Sequence, residues 1–302
     1  MHHFRRINNV QHTPGFRVTH RHALSWRRYH AGQFRQLRRY LLLRRFSQVS
    51  ILLLFLSGPL FGVWITKGNL SSSLTFDVLP LTDPFALAQV LMTRHWPELS
   101  AVVGVALVLT FYAAVGGRIF CSWVCPVNMA TDTASWLRRR LGIRTGRAPV
   151  HLRYWLIPCI LAASAITGVT VWEWVNPVSL THRALIFGGY VALGAVAAVF
   201  VYDLLIAPHG WCGHLCPVGA TYALIGKPSL LRVSAQNSSQ CNDCAECYAV
   251  CPESHVIPIA LKGKEGASPI IQNTDCTLCG RCIDVCAPQV FLYTHRFNHK
   301  RA

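Results

Sequence analysis

Long apolar stretches separated by basic or loop-forming segments organise this chain. Four of them are long enough to cross a hydrocarbon layer of ~30 Å as helices, at about 46–66, 99–119, 154–174 and 184–207. Gly58-Pro59 interrupts the first, where a kink is expected. Trp64, Trp172 and Trp174 fall at span ends, where aromatic rings favour the interface. Gly188, Gly189 and Gly194 suggest close helix packing in the fourth span, and the lone Cys159 of the third reads as a small buried apolar residue. Beyond about residue 230 the long apolar runs stop.

Composition agrees with a membrane protein: 52% of the 302 residues are hydrophobic and 14% are charged. The net charge of +17 invites a nucleic-acid reading, but its distribution excludes one. The arm over residues 1–45 is rich in Arg and His and has no acid before Asp77. Basic residues gather again over 138–153. Both flank apolar spans, as the positive-inside rule requires. This orientation sets the N-terminus, the 138–153 loop and, after four crossings, the C-terminus in the cytoplasm. Arg44-Arg45-Phe46 resembles a twin-arginine signal, but it opens a polytopic bundle and no small-residue cleavage site follows.

The region over 231–302 carries the plainest chemistry. Cys241-x2-Cys244-x2-Cys247-x3-Cys251-Pro252 and Cys276-x2-Cys279-x2-Cys282-x3-Cys286 are ligand runs of bacterial-type [4Fe–4S] clusters. The fourth cysteine of each run ligates the other cluster. Cys241, Cys244, Cys247 and Cys286 are thus expected to hold one, and Cys276, Cys279, Cys282 and Cys251 the other. Zinc sites would pair shorter runs, and disulfides would need an oxidising compartment.

The apolar part is duplicated. Asp83-Pro84 precedes a span that ends in Cys121-Ser-Trp-Val-Cys125-Pro126. Asn176-Pro177 precedes a span that ends in Cys212-Gly-His-Leu-Cys216-Pro217. Both copies run in the same direction, a parallel repeat. Cysteines at i and i+4 share a helix face, so Cys121, Cys125, Cys212 and Cys216 are candidate metal-binding, redox or docking thiols; small packing residues are the plainer alternative. No histidine lies within the spans to ligate a haem, and no dinucleotide fingerprint is present. Transfer across the membrane then needs a diffusing quinone or a partner's centres. Glu173 and Asp203, near span ends, are candidate proton acceptors for a quinol.

Several segments together resemble the NapH family, the ferredoxin-type membrane subunit of the periplasmic nitrate reductase system. They are Leu56-Ser-Gly-Pro-Leu-Phe-Gly-Val-Trp64, Ser71-Ser72-Ser73, Pro80-Leu-Thr-Asp-Pro84, Phe120-Cys-Ser-Trp-Val-Cys-Pro126, Trp172-Glu-Trp-Val-Asn-Pro-Val178 and His209-Gly-Trp-Cys-Gly-His-Leu-Cys-Pro-Val-Gly-Ala220. The paired Cys-Pro motifs alone also fit nitrous-oxide-reductase accessory proteins and a copper-oxidase assembly factor; the loop motifs narrow the resemblance to NapH. It implies an inner-membrane electron-transfer subunit of a quinol dehydrogenase, not a stand-alone catalyst. Two [4Fe–4S] clusters are its cofactors and quinol its substrate. A NapG-like periplasmic iron–sulfur protein and other periplasmic nitrate reductase components are its partners. The expected architecture is an all-α bundle of four transmembrane helices over 46–230, in two parallel repeats, followed by an α+β two-cluster ferredoxin-like domain. Copper-centre maturation and redox sensing are the competing functions.

Overall fold

The first helix, α1 (Arg39–Phe61), is 23 residues long, about 34 Å at 1.5 Å per residue. Its first turn has orphan N–H groups, and Asp284 supplies the acceptor: its carboxylate takes the N–H of Tyr40 at 3.3 Å and of Leu41 at 3.1 Å. A carboxylate there also suits the positive end of the helix. The computed structural model describes residues 39–143, 152–187, 190–263 and 268–298. They form two compact units. One comprises Arg44–Leu230; the other comprises 231–302 with the stretch ending at Leu43.

The larger unit is mostly helical and is built twice over. In the first copy α1 is followed by a three-stranded antiparallel sheet, β1 (Thr66–Gly68), β2 (Ser72–Thr75) and β3 (Leu79–Thr82). Lys67 pairs with Leu74, and Ser73 with Leu81. Then come α2 (Pro84–Met92), α3 (Leu99–Val115), a π-helical turn (Phe120–Val124) and α4 (Val127–Leu141). The second copy holds α5 (Leu152–Thr167), α6 (Val171–Val175), α7 (Pro177–Phe187), α8 (Tyr190–Leu205), a second π-helical turn (Trp211–Leu215) and α9 (Pro217–Ile225). The two Asx-Pro pairs start equivalent helices. The Asp83 side chain accepts the Ala86 N–H at 3.1 Å, and Asn176 accepts the Val178 N–H at 3.1 Å. Proline at the first helical position loses no bond.

Where the expected spans end is decided by tertiary contacts that the apolar runs do not show. The first helix stops at Phe61 rather than Thr66. Gly62 turns left-handed (φ +71), Trp64 packs back onto Gly58, and Thr66 enters the sheet. Pro59 stays inside a continuous helix. The last residues of the expected basic arm, Arg39–Arg45, belong to this helix; residues 1–38 lie outside the described residues. The second span stops at Val115 because Gly117 lies against the backbone of Tyr222 and Gly226. The third ends at Thr167, with Gly168 left-handed (φ +71), and Trp172 to Trp174 form the separate α6. The fourth is two helices, α7 and α8. Among the described residues, α1 is the one helix long and apolar enough to cross a membrane by itself. Leu99–Val115, Leu152–Thr167 and Leu193–Leu205 are shorter apolar helices. Large apolar side chains on all four are exposed, including Phe46, Leu99, Trp155, Ile166 and Leu193.

The core of this unit gathers Phe85, Phe120, Cys125, Val127, Trp172, Val199, Val218 and Tyr222. The Phe120 and Tyr222 rings stack at 4.7 Å, as do those of Trp172 and Trp211 at 6.3 Å. Two packing expectations are corrected. Cys159 is exposed, not buried, on the outward side of an apolar helix. Among the described residues nothing lies within 4 Å of the Cβ position of Gly194, so none of them packs closely there. Gly188 and Gly189 lie outside the described residues.

Among the described residues of this unit four arginines are buried as well: Arg44, Arg118, Arg138 and Arg153. A solvated basic loop was expected over 138–153, yet both of its terminal arginines are interior. Arg138 caps the end of α8 by donating to the carbonyls of Asp203 at 3.0 Å and Leu204 at 2.9 Å. Residues 144–151 lie outside the described residues. The Arg44-Arg45 pair forms salt bridges to Asp132, Arg44 at 3.5 Å.

The smaller unit is α+β. Strands β4 (Leu231–Ser234) and β5 (Leu292–His295) pair antiparallel, with Val233 opposite Tyr293. Between them lie α10 (Glu246–Val250), α11 (Ile257–Lys262) and α12 (Arg281–Val285). Val233, Val256, Ile257, Ile270, Val290 and Phe291 are buried beneath them.

Candidate metal centres

The two cysteine runs of the smaller unit fold alike. In the first, Asp243 (φ +56) and Ala245 (φ +61) are left-handed; in the second, Leu278 (φ +51) and Gly280 (φ +71) are. These are the same two places relative to the first cysteine. Left-handed residues between right-handed ones turn successive N–H groups into one concavity, which suits an anionic occupant. A leucine at positive φ costs of order 1 kcal/mol, so the loop shape overrides the residue's own preference. The expected cysteines lie together. Cys241, Cys244, Cys247 and Cys286 line one cavity with Tyr248 and Phe291. Cys251, Cys276, Cys279 and Cys282 lie within electrostatic reach of one another, and Cys247 of the first set is also within reach of Cys282. Cys286 Sγ accepts the Val290 N–H at 3.3 Å. The donor set and its N–H groups fit an anionic iron–sulfur cluster. Burial pushes the Cys247 thiol up to about 12, so without iron the cavity holds thiols, and metal binding releases their protons.

The larger unit brings together the four cysteines of its two Cys-Pro motifs. Cys121, Cys125, Cys212 and Cys216 line one cavity, with Phe120, Trp211, Asp83 and Gly219 among its other walls. The π-helical turns place Cys121 and Cys212 at their second residues, and Cys125 and Cys216 directly after them. Equivalent carbonyls in the two turns are held from equivalent helices. Gln48 on α1 donates to Ser122 O at 3.1 Å; Arg153 on α5 donates to Gly213 O at 2.7 Å. No disulfide joins any of the cysteines.

The acidic candidates separate. Glu173 accepts hydrogen bonds from Ser179 at 2.7 Å, Ser71 at 3.1 Å and Asn176 at 3.2 Å. It fastens the sheet loop to the start of α7, and Ser71 and Asn176 both line the cavity. Asp203 is fully buried and accepts the Trp211 N–H at 2.9 Å, holding the start of the second π-helical turn. It is not among the cavity's lining residues. Asp83, the residue before Pro84 in the first repeat, also lines the cavity, and its Oδ1 is buried without a hydrogen bond. Burial raises its carboxyl from 3.8 to about 7, against the opposing contacts of the Ala86 N–H and the Tyr222 hydroxyl. Only its burial separates it from an ordinary helix cap, and nothing local in the sequence signals that.

Comparison with known proteins decides the family. Residues 240–290 match a 4Fe-4S dicluster domain. A 4Fe-4S binding domain matches twice, at 98–144 and 187–235, once on each repeat of the larger unit. The ferredoxin-type protein NapH of Haemophilus influenzae is 50% identical over 262 residues, 86% of this chain and 91% of its own. This chain belongs to the NapH family. NapH of Escherichia coli is 47% identical with the same coverage. The methylamine utilization ferredoxin-type protein MauN of Methylorubrum extorquens is as similar as either NapH, 50% identical over 84% of this chain and 88% of its own. No solved structure matches the chain. As a NapH-family protein with 4Fe-4S domains, it is an iron–sulfur electron-transfer protein of ferredoxin type.

Proposed function

We propose that the chain is the membrane-embedded electron-transfer subunit of a quinol dehydrogenase, passing electrons from the quinol pool toward a periplasmic nitrate reductase through a NapG-like iron–sulfur partner. The observation that carries this reading is the pair of cysteine runs, held in matching left-handed loops, in a chain 50% identical to NapH. When bound, the clusters supply one-electron transfer. Cys241, Cys244, Cys247 and Cys286 would hold one, and Cys276, Cys279, Cys282 and Cys251 the other. The protein's own work is to fix those thiolates, direct N–H groups at the sulfurs and exclude water.

Four crossings of the inner membrane by α1, α3, α5 and α8, with both termini cytoplasmic, fit this role. The apolar side chains exposed on all four helices support it, because a soluble protein rarely leaves so much apolar surface uncovered. Quinol oxidation also releases protons. Asp83 is buried at the cavity with a carboxyl near neutrality, which suits a proton acceptor. Glu173 is held by three side-chain hydrogen bonds; Asp203 has one buried carboxylate oxygen without a hydrogen bond but does not line the cavity.

MauN's equal identity supports a second reading, in which the electrons serve methylamine utilization. Deleting the gene separates the two. Loss of quinol-dependent nitrate reduction, restored by the wild-type chain and not by Cys244→Ser, supports the first. Intact nitrate reduction with failed growth on methylamine would replace it with the second.

A further inference from the structure

Each repeat of the larger unit carries a match to a 4Fe-4S binding domain, yet each matched stretch contains only two cysteines. A cubane needs four, so neither repeat can hold one alone. The geometry points to a single iron–sulfur site at the junction of the two repeats, held by Cys121, Cys125, Cys212 and Cys216. It is a third cluster, distinct from the two of the ferredoxin runs, and it does not depend on quinol being the electron donor.

The sulfurs of different repeats meet at Gly219. Its N–H donates to Cys216 Sγ at 3.4 Å, and Cys121 Sγ lies 3.7 Å from where its Cβ would stand. Cys212 and Cys125 line the same cavity. Their surroundings are those of ligands rather than of packing residues. Cys125 Sγ faces the N–H groups of Val127 and Asn128 at the start of α4. Cys216 Sγ faces those of Val218 and Gly219 at the start of α9. Cys286 of the ferredoxin run is served in the same way by Val290. Buried thiols that only fill space need no such donors; anionic sulfur on iron does, and these hydrogen bonds orient it.

Charge points the same way. A cluster held by four thiolates is anionic, and burying it is costly without a counter-charge. Arg118 supplies one beside Cys216, and its guanidinium also donates to Cys212 O at 3.0 Å. Arg153 adds a second charge on the carbonyl of Gly213.

The test is the iron and acid-labile sulfide content of the full-length protein, purified anaerobically in detergent, read beside its EPR spectrum. Two cubanes account for about eight irons per chain. The site requires more than eight in the wild type, and a third reduced signal. Cys121→Ser with Cys216→Ser should lose the excess iron and that signal while keeping the two ferredoxin signals; Cys159→Ser should lose neither. Eight irons in the wild type would overturn the proposal whether or not the double variant folds. So would a double variant that retains the wild-type iron, or zinc bound to the four thiols in place of iron.

Discussion

Arg118, just after α3 of the first repeat, reaches into the second, its guanidinium donating to the carbonyl of Cys212 at 3.0 Å. The residue is buried, so the bond is a charged one in a place where water cannot replace it. Arg118→Ala should therefore lower the thermal stability of the detergent-solubilised protein by about 2 kcal/mol. Lys, which keeps the charge but lacks the planar fork, should recover part of the loss. Melting curves of the three proteins check this; equal midpoints would show that the contact contributes nothing.

Two glycines near this junction should respond oppositely to a methyl group. At Gly117 a Cβ would collide with the Tyr222 carbonyl and stand 2.7 Å from the Gly226 nitrogen, so backbone must move. Gly117→Ala should cost about 3 kcal/mol or prevent accumulation. At Gly219 the nearest atoms are 3.6 Å or more away, an ordinary contact. Gly219→Ala should accumulate in membranes as the wild type does.

Asp83 makes stability depend on pH. Burial raises its carboxyl from 3.8 to about 7, so between those values the folded chain holds a proton that the unfolded chain has released. Stability contributed at this position is greatest below about pH 4, falls as pH rises toward 7, and is level above. Full ionisation costs about 4 kcal/mol. Asp83→Asn keeps an oxygen for the Ala86 N–H and removes the titration. The wild type should therefore lose thermal stability relative to Asp83→Asn as pH rises from 5 to 7. Parallel melting curves across that range would contradict the assignment.

The ferredoxin runs should exchange their fourth ligands. Cys286 shares a cavity with Cys241, Cys244 and Cys247, so Cys286→Ser and Cys244→Ser should alter the same EPR component. Cys251→Ser should alter the other, because Cys251 lies within electrostatic reach of Cys276 and Cys279. If Cys286→Ser instead altered the component that Cys276→Ser alters, the runs would not be exchanged.

The sequence makes some of this arrangement plain and hides the rest for physical reasons. Ligand spacing is a local property, so the cysteine runs can be read directly, and so can the duplication at Cys121 and Cys212. Helix ends in the larger unit are not local. Val115 ends a helix because Gly117 meets Gly226, more than a hundred residues away. Arg138 and Arg153 look like solvated basic residues because charge is usually exposed; their carbonyl partners on α8 and in the second π-helical turn become visible only once the chain is folded. Asp83 hides in the same way, since Asp-Pro at a helix start reads as a cap wherever it lies.

The central claim is that this iron–sulfur chain takes electrons from quinol. Its most direct test is the EPR spectrum of the anaerobic full-length protein in lipid vesicles after mixing with menaquinol or ubiquinol. The account expects reduced cluster signals to grow with quinol, and to be lost from the ferredoxin components in Cys244→Ser and Cys279→Ser. A protein whose clusters are reduced by dithionite but stay oxidised with either quinol would contradict it.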